Sequence, residues 1–538
     1  MKRNRMKQLA AAGMAAVLTA GLLTGCGGGA GGEGVKSNGK EIQIYAQTNG
    51  LGQDWLNNAA KAYQKKTGTT VNVLFDAYIS TNIRTTLEAE KAQVADLYFI
   101  QTGEWSQLFR DGYLEDLTEL LEEKGESGKS LNDRMILEKT WIWNADGEER
   151  QVYVPVTKAP QGIVYNKKMM NYLCHDVLGW GKGHDYPVST KELKEIIAAL
   201  EETSKKGDQK ELFTYMQNGK TMDVKPFVWS GSTGMLEFFT IAWREQYWGE
   251  QGLEAFYNQL DNSDMLKDDC MYLIYQTMVD LLQLEEDTNG EWISTTSVPN
   301  CVSYNHTSAQ SQLLMNTAVM CPTGSWFYSE MKSTIEDLDN LGFMPIPYLS
   351  DDQGNPITDE GVVLPKNADG SYANRAHLNT QDFFVIPTGA SEENKEIAKD
   401  FLKFMFSEEY MPSLQTDLQA PLCFDFDDST VERTAWLEEV DAFINKTSYV
   451  KNWYGTKLQV YGKIGFYNNP GEAPFSRLSI SSFGSSKKLV DSATGKEISS
   501  KADATGIAVT ENVYNYVYNN YEAAAGNWPS TKEWLERH

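Results

Sequence analysis

Glu41-Ile42-Gln43-Ile44-Tyr45-Ala46 places apolar side chains at every second position, the two-residue period of a strand that buries one face. A turn-rich stretch follows, Thr48-Asn49-Gly50-Leu51-Gly52, and then the spacing changes. Trp55, Ala59, Ala62 and Tyr63 fall at i, i+4, i+7 and i+8, which predicts a helix with one apolar stripe ending at Thr67-Gly68. Val71-Asn72-Val73-Leu74-Phe75 predicts a second strand, and a helical stretch over 83–91 leads into the short apolar run Leu97-Tyr98-Phe99-Ile100. Strands that alternate with helices in this way pair in parallel through crossovers. The expected class is therefore α/β, a mostly parallel sheet covered by helices.

Later segments carry the same signals. Ser189-x-x-Glu192 reads as a capping box ahead of Leu193, Ile196, Ile197 and Leu200 on one face. Phe383-Phe384-Val385-Ile386 reads as a strand, followed by the turn Pro387-Thr388-Gly389 and a helix with Ile397, Phe401, Phe404 and Met405 on one stripe. Segments 285–300, 350–380 and 425–440 are polar or turn-rich and read as insertions or connections. There is no short-period internal repeat.

The N-terminus has a different pattern. Lys2, Arg3, Arg5 and Lys7 precede an apolar run over 9–23 that is short for a membrane span, so residues 1–25 read as a secretory signal. The run closes on Leu23-Thr24-Gly25-Cys26, which resembles the lipobox of bacterial lipoproteins, in which the cysteine is diacylated and becomes the mature N-terminus. Two acyl chains give stable anchoring. Residues 26–40 then read as the lipidated Cys26 and a flexible Gly-rich tether.

The net charge is −26, and loss of the four leader cations leaves −30. Such a surface repels phosphate backbones, which argues against a nucleic-acid partner. Apart from Cys26, the cysteines (Cys174, Cys270, Cys301, Cys321, Cys423) are odd in number and irregularly spaced, so mostly buried free thiols are expected, with a single bridge left open. The five histidines show no metal-ligand spacing and no cofactor is indicated. Cys174-His175 reads as local structure. Gly128-Lys129-Ser130 resembles the end of a phosphate loop but has Glu at position 123 and no preceding strand, and Ser485-x-x-Lys488 lacks the companion motifs of acyl enzymes.

Several stretches, taken in order, resemble the family 1 extracellular solute-binding proteins, the group that includes maltose-binding protein. They are the strand–helix–strand opening over 41–75, Ala95-Asp96-Leu97-Tyr98-Phe99, Gly112-Tyr113-Leu114-Glu115-Asp116-Leu117, Tyr153-Val154-Pro155, Tyr165-Asn166-Lys167-Lys168-Met169, Pro322-Thr323-Gly324-Ser325-Trp326 and Phe384-Val385-Ile386-Pro387. Together they span about 41–410, whereas 425–520 matches poorly. The resemblance implies a two-lobed periplasmic-binding-protein-like fold with a hinge and an interlobe ligand cleft. By family order one lobe combines 41–158 with 384–430, and the other 159–378 with 435–538. It further implies a monomeric protein without enzymatic activity. That protein would be lipid-anchored on the extracytoplasmic face of a Gram-positive cell membrane and would deliver a small ligand, a carbohydrate, to the permease subunits of an ABC transporter.

The sequence holds 14 Trp, 27 Tyr and 21 Phe, many beside small polar residues, and flat rings pack on the C–H face of a sugar while amides bond its hydroxyls. Trp326 follows Pro322-Thr323-Gly324-Ser325 at the end of the apolar stretch 318–321. Its strand should finish at the cleft, and by resemblance Trp326 takes the ligand-stacking position. Trp229, in Val228-Trp229-Ser230-Gly231, is the second aromatic candidate. Thr48 and Asn49 past one strand end, and Gln101 and Thr102 past another, are the candidate hydrogen-bonding residues. A lipid-anchored glycoside hydrolase is the alternative from another class, since the 74 acidic residues allow a carboxylate pair without showing one. Within binding proteins, a peptide or polyamine ligand is the alternative to sugar.

Overall fold

A computed structural model describes residues 37–449, apart from 49, 89–94, 102–104, 126, 137–141, 146–147, 233–234, 259–268, 287–291, 377 and 380–381. The signal, Cys26 and most of the tether therefore lie outside the described residues, as does 450–538.

The alternating opening forms β1 (Glu41–Gln47), which buries Ile42, Ile44 and Ala46. Helix α1 (Asp54–Thr67) follows and stops at Gly68, whose left-handed φ of 80° lets its N–H donate to the Gln64 carbonyl at 2.8 Å. The helix buries Trp55, Leu56, Ala59, Ala60 and Tyr63, whereas Ala62 is partly exposed. Covering a sheet takes a wider stripe than the narrow one expected, and Leu56 and Ala60 supply the difference. Trp55 lies edge-on to Phe99 and Phe384, with ring centroids 5.1 and 6.1 Å away. Next come β2 (Thr70–Asp76), α2 (Ile83–Leu87) and β3 (Leu97–Ile100).

The chain then runs through β4 (Val154–Pro155) directly into β5 (Ala159–Asn166). Beyond it lie α3 (Thr190–Lys206), β6 (Lys225–Phe227), α4 (Phe238–Asn258), α5 (His306–Leu314), β7 (Ala318–Gly324), α6 (Phe327–Met331) and β8 (Leu341–Met344). The chain returns through β9 (Leu378–Asn379) and β10 (Phe383–Val385) to α7 (Glu392–Met405) and α8 (Met411–Leu418), and crosses again to α9 (Ala435–Lys446). Ser189 caps α3 by accepting from the Glu192 N–H at 3.2 Å. The return half of the expected capping box is displaced, because Glu192 accepts from the Val188 N–H at 2.8 Å and faces His184.

Two sheets result. The first has the order β2-β1-β3-β10-β4, with β1 parallel to β2 and β3, and β10 reversed. Pro155 is tolerated because β4 is an edge strand. The second has the order β6-β7-β5-β8, with β5 antiparallel to both β7 and β8. This departs from the mostly parallel expectation, because β5 enters straight from the first sheet with no crossover helix to restore direction. Each sheet has its own apolar core, one drawn from 42–156 and 383–424, the other from 163–349 with Ala376, Trp436, Val440 and Phe443. The fold is two-lobed α/β.

Three segments cross between the lobes and are bonded to one another. β5 pairs with β9 at Pro160 and Ala159, the Val156 N–H donates to the Asp382 carbonyl at 3.0 Å, and the Cys423 N–H donates to the Val156 carbonyl at 3.1 Å. A narrow, mutually bonded waist between separate cores is the form of a hinge. The third crossing leads into α9, where the expectation of a polar connection over 425–440 fails. Trp436, Leu437 and Val440 are buried, the Trp436 Nε1–H donates to the Ser325 carbonyl at 2.9 Å, and Phe443 stacks on Phe343. Glu438 and Glu439, with the acidic and turn-rich run that precedes the helix, gave the segment its polar look, yet Glu439 turns toward the second sheet, where it accepts from the Phe343 N–H at 3.4 Å and pairs with Lys167 at 2.6 Å. Gly162 in β5 admits this helix closely, since a Cβ there would lie 2.7 Å from the Phe443 ring.

Candidate functional site

Parallel pairing fixes what emerges from the first sheet. Ala46 lies level with Phe99, so the same offset puts Thr48 level with Gln101 just past the strand ends. From the second sheet β7 runs on to Gly324, and Ser325 and Trp326 follow. Between these ends lies a cavity of about 620 Å³. Gln47, Thr48 and Gln101 form one wall, and His306, Ser325, Trp326 and Glu330 the other. Thr157, Ala159, Asp382 and Ala420 of the crossing segments make the floor.

Trp326 is partly exposed. Its ring folds back over Gly324, where a Cβ would fall 2.1 Å from a ring atom, and it meets Phe238 edge-on at 6.1 Å. Absence of a side chain at position 324 thus lets the indole lie against the strand end. Gln101 is held from two sides: its N–H donates to Ser80 Oγ at 2.8 Å and its Nε2–H to Asp382 Oδ1 at 2.6 Å. Thr48 is exposed at the mouth. Thr157 Oγ1 and Ser325 Oγ are buried against the cavity without a hydrogen-bond partner in the protein, which marks them as groups a bound molecule can satisfy.

Glu330 is the most constrained polar group in the wall. Its carboxylate accepts from Gln310 Nε2 at 2.7 Å and stands 3.3 Å from His306 Nε2. The bond to Glu330 raises the His306 pKa above its ordinary 6.5, against the opposing effect of partial burial. From the first lobe Gly50 presses on the same carboxylate, and a Cβ there would lie 2.8 Å from Glu330 Oε1. Ser329 Oγ donates to the Leu418 carbonyl at 3.5 Å, a second contact between lobes.

Of the aromatic candidates, the structure brings only Trp326 to the cavity. Trp229 is 1% exposed, lies in the core of the second lobe and donates its Nε1–H to Ser297 Oγ at 2.9 Å, so its ring faces protein on both sides. The reason is depth along the sheet: Phe227 pairs with Met320, which places Trp229 level with Pro322, well below the strand end. Asn49 and Thr102 lie outside the described residues. Sequence reasoning missed His306, Glu330 and Asp382. A carboxylate four residues after Trp326, one helical turn on, was the available signal for Glu330.

Among the described residues no group of three or more His, Cys, Asp or Glu could hold a metal, and no helix is long and apolar enough to cross a membrane. Cys174, Cys301, Cys321 and Cys423 are buried free thiols. His175 bonds Asp185 at 2.9 Å and lies 3.0 Å from the Trp180 carbonyl, a local arrangement.

Two α/β lobes on a bonded waist, with a partly polar cavity where strand ends from both converge, define a binding protein that holds its ligand between lobes. The family model of bacterial extracellular solute-binding proteins matches residues 58–421, and this chain belongs to that family. Among curated proteins none matches its sequence. Solved structures agree in fold at low identity. A chitin oligosaccharide binding protein is 14% identical with a TM-score of 0.56, over 90% of this chain and 99% of that one. A secreted solute-binding lipoprotein from Streptomyces coelicolor gives 12% and 0.55, over 90% and 98%. The GacH receptor of Streptomyces glaucescens, solved unliganded and with acarbose, gives 12% and 0.54, over 91% and 99%.

Proposed function

We propose that the protein captures a carbohydrate outside the cell membrane and presents it, chemically unaltered, to the permease of an ABC importer. The observation that carries this reading is the composition of the interlobe cavity. One accessible indole supplies a flat apolar face, and Thr157 and Ser325 supply buried hydroxyls without partners, beside the amide of Gln101 and the hydroxyl of Thr48. A pyranose has the matching surface, an apolar C–H face with hydroxyls around its rim. Trp326 stacks on the ring from one lobe while Thr48 and Gln101 bond hydroxyls from the other, with Asn49 and Thr102 next to them in sequence. Solved proteins of the same fold are described with acarbose and with raffinose, which supports a sugar here. The lobes divide as 41–158 with 384–430 and 159–378 with 435–538. Cys26 carries the lipid that keeps the protein, a monomer, at the membrane.

A thermal-shift panel of oligosaccharides, polyols, peptides and polyamines tests the reading, because a ligand bound only by the folded state raises the melting temperature. A shift with sugars and none with peptides or polyamines is expected; the reverse would overturn the assignment. Cys26→Ala should move the protein from the membrane fraction to the medium without changing sugar binding, and continued membrane retention would remove the anchor.

A further inference from the structure

We infer that the cleft selects by charge, accepting neutral or amino sugars and rejecting sugars that carry a carboxylate or phosphate. The inference rests on the carbohydrate reading and goes beyond it by naming the class of sugar. Among the described lining residues the only ionisable side chains are Glu330, Asp382 and His306, and none is Lys or Arg. Both carboxylates are withdrawn from water: the Glu330 side chain is 11% exposed and Asp382 is 9% exposed. At such burial a charge is poorly screened, and a second negative group brought beside it meets repulsion together with loss of its own hydration. A carboxylate can only accept hydrogen bonds, so the ligand groups that suit a place beside either one are donors, hydroxyls or ammonium groups, and an ionised acid is not one of them.

The lysines near this wall do not offset the bias. Lys158 lies in the crossing segment between Thr157 and Ala159, which line the floor. Strand alternation sends its side chain to the opposite face, where Cys423, Asp441 and Asp425 surround it. Lys332, two residues after Glu330, pairs with Asp54 at 3.6 Å and does not line the cavity. Among the described lining residues His306 is the one basic group, and its Nε2 is turned onto Glu330 at 3.3 Å rather than toward a ligand anion.

Calorimetry on the full mature chain tests this with matched probes: maltose, cellobiose and chitobiose, the uronic-acid analogue of each, and the glucosamine dimer. Each acid should bind about 10–100-fold more weakly than its neutral partner, the range expected when like charges meet at a desolvated site. The glucosamine dimer should bind at least as tightly as chitobiose. Glu330→Gln and Asp382→Asn should each narrow the acid-to-neutral gap. An acid that binds as tightly as its neutral partner overturns the charge selection while leaving the carbohydrate reading intact, and so does a gap unchanged in both variants. No binding by any sugar in the set removes the carbohydrate reading and the selection with it.

Discussion

Two tryptophans follow neighbouring parallel strands of the same sheet, and only Trp326 of the two lines the interlobe cavity. Trp229 comes two residues after β6 and Trp326 two residues after β7, each in a Ser/Gly context. β6 is short: it ends at Phe227, and the Val228 N–H still donates to Met320 in the middle of β7. Trp326 therefore lies two positions beyond the end of β7, whereas Trp229 is level with Pro322, two positions short of that end. At that depth it meets Ser297 and core side chains, whereas Trp326 clears the strand end and reaches the cavity. The pair shows that a ring after a strand reaches the cavity only if its strand outruns its neighbours.

The largest test of this contrast is Trp229→Ala. Removing a fully buried indole should cost about 3–5 kcal/mol of stability in a denaturant titration. The fraction that remains folded should bind sugar with unchanged affinity, and a loss of affinity without a loss of stability would reverse the assignment. Trp326→Ala should do the opposite. Affinity measured by calorimetry should fall by about 1–4 kcal/mol, as for a truncated aromatic anchor, with little change in stability. If both variants lose the same property, the distinction between the two sites collapses.

The smallest expected effect lies beside Trp326. An NMR titration of His306 should give a pKa above the ordinary 6.5, and Glu330→Gln should lower it. Because the folded-state value is raised, the stabilisation from this pair is fully present below the unfolded value. It is lost as pH rises through the folded one. An unshifted His306 would mean that Glu330 is not engaged as described.

Much of the first lobe was legible in the sequence. Alternation at Ile42, Ile44 and Ala46 and the stripe from Trp55 to Tyr63 report a local period, which decides element type and the face that is buried, while the continuous apolar run 97–100 marks a strand buried on both faces. Parallel pairing of these strands followed, and with it the expectation that Thr48 and Gln101 stand past strand ends; the order β2-β1-β3 and the register that sets them level came from the structure. α9 was not legible in the same way, because the acidic residues interleaved with Trp436, Val440 and Phe443 masked their stripe, and the partners Ser325 and Phe343 lie about a hundred residues earlier. The binding face was decided only by tertiary structure. Strand register set the depths of Trp229 and Trp326, and the meeting of the lobes set Gly50 against Glu330. Sequence period orients a side chain relative to its own element; how far it stands from a neighbouring strand or the opposite lobe is a long-range relation that no local pattern encodes.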